Sequence, residues 1–219
     1  MPHEIPNLAF MSREKEEKRI SQLEKRVDEL RIKLRQTSDV QSLVVHSMAE
    51  HDPEAGGIRL ALFERAVRLT VPEFIAYDAQ KNEILPAHLQ ALILYYLDKS
   101  DGTPLTGRWI SFAELPDGRF YERAFQGYTG DELSKKFNND LESFKQAAKK
   151  SGGEKLLYGD AGFVFTALPR VNLAIVYFLG EGEFPPTCKI LFDESISHYL
   201  PTDVCAILGS MLTRRLISA

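Results

Sequence analysis

Between residues 180 and 201 the chain runs Gly180-Glu181-Gly182-Glu183-Phe184-Pro185-Pro186, then Ile190-Leu191-Phe192-Asp193, then Ser197-His198-Tyr199-Leu200-Pro201. Glu181 and Glu183, two apart, fall on one side of an extended chain, and Asp193 and His198 follow closely. Carboxylates with an imidazole suit hard-metal binding or acid–base work, so Glu183, Asp193 and His198 form the candidate set of a metal-dependent enzyme. The plainer alternative places the glutamates in a solvated turn and makes Asp193 the cap of the segment after a strand. His198 beside Tyr199 suits axial ligation of a metallo-tetrapyrrole, or a structural hydrogen bond at a helix entry.

A second constellation spans Gly107 to Tyr121 and holds the only Trp of the chain. Arg108 beside Trp109 suits recognition of planar anionic ligands or of a protein partner. With a turn at Pro116-Asp117-Gly118, the same residues equally suit a hairpin whose Trp109 fills the core.

Other motifs fall away. Gly180-Glu181-Gly182 follows an apolar strand as a dinucleotide loop does, but the third Gly is missing and the prolines bar a helix directly behind it. Gly152-Gly153-Glu154-Lys155 lacks the spacing of a phosphate-binding loop, and Ser210 has no nucleophile-elbow pattern. No pair of His or Cys residues has zinc-ligand spacing; His46 and His51 stand in a linker-like region. Two cysteines, Cys188 and Cys205, make no disulfide framework in 219 residues.

The elements that must position these residues begin with a charged segment free of Gly and Pro, from Ser12 to Gln36. Ile20, Leu23, Val27, Leu30 and Leu34 alternate spacings of three and four, an a/d seam with β-branched residues at a and leucines at d. That pattern predicts dimerisation through a parallel coiled coil, against the alternative of a helix packed on its own domain. Residues 1–11 read as a disordered tail, 12–38 as the coiled-coil helix and 39–57 as a linker. Residues 58–219 read as a single domain.

Within that domain, alternating Ile58, Leu60, Leu62 and Val67, Leu69, Val71 predict two half-buried strands. Pro86 opens a helix through Leu97. Thr129 to Glu132 has the spacing of a capping box, with Leu133, Phe137, Leu141 and Phe144 on one following helix. Gly162 to Leu168 and Val171 to Leu179 predict adjacent buried strands across Pro169-Arg170, and Lys189 to Phe192 a third. Pro201 opens a closing helix that ends near Arg214 and Arg215. This order predicts an α+β fold, a mixed or antiparallel sheet with flanking helices behind the coiled-coil helix.

Apolar residues at 44% and charged ones at 26% are an ordinary globular composition. A net charge of −4 gives no footprint for nucleic acid, and no apolar run has the length of a membrane span. The expectation is a cytoplasmic protein with neither nucleic acid nor membrane as partner.

Taken together, several stretches resemble a known family. They are Thr103-Pro104-Leu105-Thr106-Gly107-Arg108-Trp109-Ile110-Ser111-Phe112 with Glu114-Leu115-Pro116, Gly159-Asp160, Ala167-Leu168-Pro169-Arg170-Val171, Glu183-Phe184-Pro185, Leu191-Phe192-Asp193 and Tyr199-Leu200-Pro201. In this order, over roughly Gly56 to Leu216, they are similar to an uncharacterised prokaryotic family catalogued as domain of unknown function 3786. The resemblance implies a family typical of anaerobes, with a tie to corrinoid metabolism and, in some members, a cysteine-rich iron–sulfur-type segment ahead of the domain. This chain departs from it: the N-terminal segment has no cysteine, and Tyr95-Tyr96 stands where a His-Tyr pair is expected. Residues and resemblance together predict a non-catalytic binding module, a homodimer with a tetrapyrrole or corrinoid cofactor or a redox or corrinoid protein as partner. Arg108, Trp109, Glu183, Asp193, His198 and Tyr199 are the expected binding residues.

Overall fold

The computed structural model describes residues 8–37, 39–52 and 56–219. Helix α1 (Leu8–Thr37) and helix α2 (Val40–Ser47) precede an antiparallel meander of five strands. These are β1 (Glu50–Asp52), β2 (Gly57–Leu62), β3 (Arg65–Leu69), β4 (Ala76–Asp78) and β5 (Glu83–Ile84). Helix α3 (Ala87–Lys99), β6 (Trp109–Ser111), a 3-10 turn (Phe112–Glu114) and helices α4 (Gly118–Tyr128), α5 (Gly130–Phe137) and α6 (Leu141–Lys150) follow. The chain then lays down β7 (Glu154–Leu156), β8 (Ala161–Leu168), β9 (Val171–Phe178) and β10 (Thr187–Asp193). A second 3-10 turn (Glu194–His198) and helix α7 (Thr202–Ile217) close it. The second sheet has the order β6-β10-β9-β8-β7, again antiparallel throughout. The α+β expectation therefore holds, with two sheets in place of one.

The periodicities explain most elements. In β2, Ile58, Leu60 and Leu62 are buried while Arg59 and Ala61 are exposed. Strand β9 is buried on both faces, and Pro169-Arg170 turns β8 into it. Aromatic contacts fix the helices to this sheet. Phe144 of α6 meets Phe137 of α5 at 5.6 Å, Phe163 at 5.9 Å and Tyr177 at 4.7 Å. Phe112, Phe125 and Phe192 join the first 3-10 turn, α4 and β10, with Phe112 stacked on Phe125 at 4.2 Å.

Four expectations need correction. The segment taken as a linker, 39–57, carries α2 and β1, with Leu43, Ser47 and Asp52 buried. The helix expected after Thr129 is two helices: Asn138, at φ 47°, ends α5, and the Asp140 carboxylate caps α6 by accepting from the Ser143 amide at 3.0 Å. Thr129 makes no capping box, because its hydroxyl donates back to the Phe125 carbonyl. Residues 1–7 of the expected tail lie outside the described residues, and Leu8 to Met11 open α1.

The heptad seam is a helix as expected, but its second half is covered by the same chain. Val27, Leu30 and Leu34 are buried, α1 lies along α3, and Leu23 is half-buried; Ile20 remains exposed. Polar contacts follow the same path: Lys33 pairs with Asp98 at 2.7 Å, and Arg31 donates to Gln90 and to the Phe74 carbonyl. Gln90 is buried in turn, bonding both the amide and the carbonyl of Ala76 at 2.9 Å. Leu34→Ala should cost about 2–5 kcal/mol in urea unfolding, the range for a large-to-small core change. Its sedimentation coefficient should not move; a wild-type dimer dissociated by this substitution would refute the intramolecular role.

Candidate functional site

Strand β6 enters the second sheet at the β10 edge, pairing Trp109 opposite Asp193. This pairing brings the loop 100–108 against the end of β10 and the turn behind it. Asp193 is the centre of the arrangement, only 2% exposed. Its Oδ1 accepts from the Ser195 amide (3.0 Å) and hydroxyl (2.7 Å) and from the Thr106 amide (3.1 Å) and hydroxyl (3.2 Å). Its Oδ2 accepts from the Gly107 amide at 2.7 Å. Burial pushes its pKa up, but these donors from Ser195, Thr106 and Gly107 outweigh burial and hold it below the ordinary carboxylate value. A carboxylate with five donors on two oxygens is a cross-link.

His198, at the end of the turn, reaches back to the same loop. Its Nδ1 lies 2.6 Å from Asp101 Oδ2 and 3.2 Å from Thr103 Oγ1. The His198 contact, with the Thr103 hydroxyl and amide, holds Asp101 far below the ordinary carboxylate range. Both partners are half exposed, so the pair is screened. Tyr199 is buried beside Tyr96 at 5.8 Å and donates its hydroxyl to the Thr103 carbonyl. The Tyr96 hydroxyl donates to the Ser47 carbonyl at 2.6 Å and accepts from the Arg170 amide at 3.1 Å, so α3 is tied to α2 and to the β8–β9 turn.

The remaining expected residues do not converge on one pocket. Arg108 is exposed and pairs with Glu194 at 3.2 Å. Trp109 is half-buried in β6, and Pro116-Asp117-Gly118 leads into α4 instead of folding back as a hairpin. A Cβ on Gly118 would stand 1.9 Å from the Phe112 carbonyl oxygen, so only glycine lets α4 start this close to the turn. Glu183 is exposed in the loop between β9 and β10, at the far end of β10 from Asp193. The seven residues of that strand separate them by about 20 Å. The metal-dependent trio of Glu183, Asp193 and His198 is thereby corrected: it is split, and Asp193 spends both oxygens on internal donors. Among the described residues no group of three or more His, Cys, Asp or Glu is placed to hold a metal ion. Burial raises the pKa of both Cys188 and Cys205, which are free, buried thiols.

The concave surface lies one step beyond this cluster. Between α4 and α7 opens a cleft of about 870 Å³ whose walls include Phe112, Tyr121, Tyr128, Leu200, Pro201 and Ile207. Ser197, next to His198, also lines it, and Thr202 bridges its two sides by donating to the Pro116 carbonyl at 2.7 Å. Its size and apolar walls are those of a small-molecule site. Tyr121, Ala124 and Tyr128 recur at helical spacing on α4 and form one wall. That spacing is a signal the sequence holds, obscured because the turn at Pro116-Asp117-Gly118 suits a hairpin around Tyr121 as well as a helix start. Asp101 and the backbone donors of 106 and 107 carried no signal of their own.

Asp193→Asn should keep one acceptor oxygen but aim an amide donor at the Gly107 or Thr106 N–H. A loss of about 3 kcal/mol in chemical denaturation is expected, from a buried donor left without its charged acceptor. A change within error would remove Asp193 from its central place. For Asp101, a depressed pKa means its contribution is present above the unfolded value near 4 and is lost as pH falls through the folded one. In a carboxyl NMR titration, His198→Ala should return Asp101 toward the ordinary range and leave Asp193 low; an unmoved Asp101 would contradict the pairing.

No described helix is long and apolar enough to cross a membrane. No curated protein and no solved structure matches the chain. The model of a domain of unknown function, DUF3786, matches residues 39–215, which takes in both sheets, the Asp193 cross-link and the cleft. The chain belongs to the DUF3786 family.

Proposed function

We propose that the protein is a non-catalytic binding module that seats a macrocyclic cofactor, apolar on its faces and polar at its rim, in the cleft between α4 and α7. The observation that carries this reading is the cleft itself: aromatic and aliphatic walls beside a cluster whose hydrogen-bonding capacity is spent internally. A tetrapyrrole is the sharper version. His198 is adjacent to a residue of the wall, and its Nδ1 is engaged by Asp101. A carboxylate on one imidazole nitrogen is the usual support for metal ligation by the other. Among tetrapyrroles a corrinoid fits better than haem. The charged residues lining the cleft are Lys99, Asp117 and Asp203, so two propionates would face two carboxylates and a single cation, whereas corrin amides carry no charge. A redox or corrinoid protein is the partner in the protein-binding version, which rests on Phe120, 84% exposed, and Tyr121 beside it on α4. A homodimer through α1 is not part of this reading, because Val27, Leu30 and Leu34 already face α3.

Titration with hydroxocobalamin and with haem, followed by absorbance, tests the proposal. Saturable binding at micromolar corrinoid is expected, weaker for haem, abolished by Ala206→Trp, which fills the cleft. His198→Ala should change the spectrum of the bound corrinoid while leaving binding in place. Absence of binding for both ligands at micromolar concentration, in a folded protein, rejects the tetrapyrrole version.

A further inference from the structure

A second, smaller cleft of about 380 Å³ lies where the β2–β3 turn, the start of α3 and the last turns of α7 meet. Its walls include Phe63, Arg65, His88, Arg214, Arg215 and Ser218. Three guanidiniums and an imidazole thus line one small concavity, and no carboxylate does. The carboxylates that pair with them, Glu64 and Asp78, are outside the lining: Glu64 takes one terminal nitrogen of Arg215 at 2.6 Å, and Asp78 takes Arg65 at 3.6 Å.

These pairings leave donors over. The Arg214 side chain makes no ion pair or hydrogen bond among the described residues, and the Nε of Arg215 is buried without a partner while its guanidinium lies 5.1 Å over the Phe63 ring. His88 sits in the first turn of α3, which has no side-chain cap. Burial, and then the charge of Arg214, lower its pKa, as expected in a positive field. Glu64 and Asp78 balance Arg215 and Arg65, which leaves the charge of Arg214 beside His88 with no carboxylate in the lining, and guanidinium forks match the geometry of carboxylate and phosphate oxygens.

We infer that this cleft binds an oxyanion, the phosphate or carboxylate group of a small ligand, between Arg65, Arg214 and His88. The volume admits a phosphate, a pyrophosphate or a small polycarboxylate.

The test follows the imidazole proton resonance of His88 in the full-length protein at low ionic strength, titrated separately with inorganic phosphate, pyrophosphate and citrate. A saturable shift and an upward move of the His88 pKa are expected, because a bound anion offsets Arg214. Preference for phosphate or pyrophosphate assigns a phosphate ligand, and preference for citrate a carboxylate one. Arg214→Gln, an exposed change that should leave the fold intact, should weaken binding about tenfold or more, the effect of losing a charge-assisted hydrogen bond. Lys149→Gln with Lys155→Gln, in a separate cleft near β7, should leave affinity unchanged. No saturable shift at millimolar anion, or equal affinity in Arg214→Gln, overturns the assignment.

Discussion

The structure around the β10 terminus depends on one buried carboxylate. Asp193 stands at the end of a core strand, where its backbone pairs with Trp109 and its side chain gathers donors from two segments 86 or more residues apart. Removing an ionised carboxyl from water is costly, and only several aligned donors offset that cost. The donors are in turn held by the carboxylate. Through them the loop 100–108 acquires its path, β6 acquires its register, and His198 and Tyr199 acquire the loop partners they bond. Asp193, one of the three residues offered for metal binding or acid–base work, builds the scaffold instead.

How far the sequence could be read depended on the range of the interaction. Alternation in β2 and the twin apolar runs around Pro169-Arg170 gave local signals, and those elements are where they were expected. A three-residue strand such as β1 has too little periodicity to stand out, so 39–57 passed for a linker. The a/d spacing of α1 showed only that one stripe needs cover; a second copy and α3 satisfy that need equally in sequence. Asp193 was legible as a local cap, which its bond to the Ser195 amide confirms, but its bonds to Thr106 and Gly107 join distant segments that no spacing relates. Glu183 and Asp193 are close in sequence, yet they stand at opposite ends of the seven-residue strand β10. Tyr121 and Tyr128 are visible as residues, but only the start of α4 at Gly118 sets them on one wall.

Helix α7 serves as a wall of both clefts. It is a single run of 16 residues, about 24 Å long. Asp203, Ala206, Ile207 and Ser210 line the larger cleft, while Met211, Arg214, Arg215 and Ser218 at its other end line the smaller. A guest in either cleft would therefore rest against the same helix, whose inner face, through Val204, Cys205, Leu208, Leu212 and Leu216, is packed into the core.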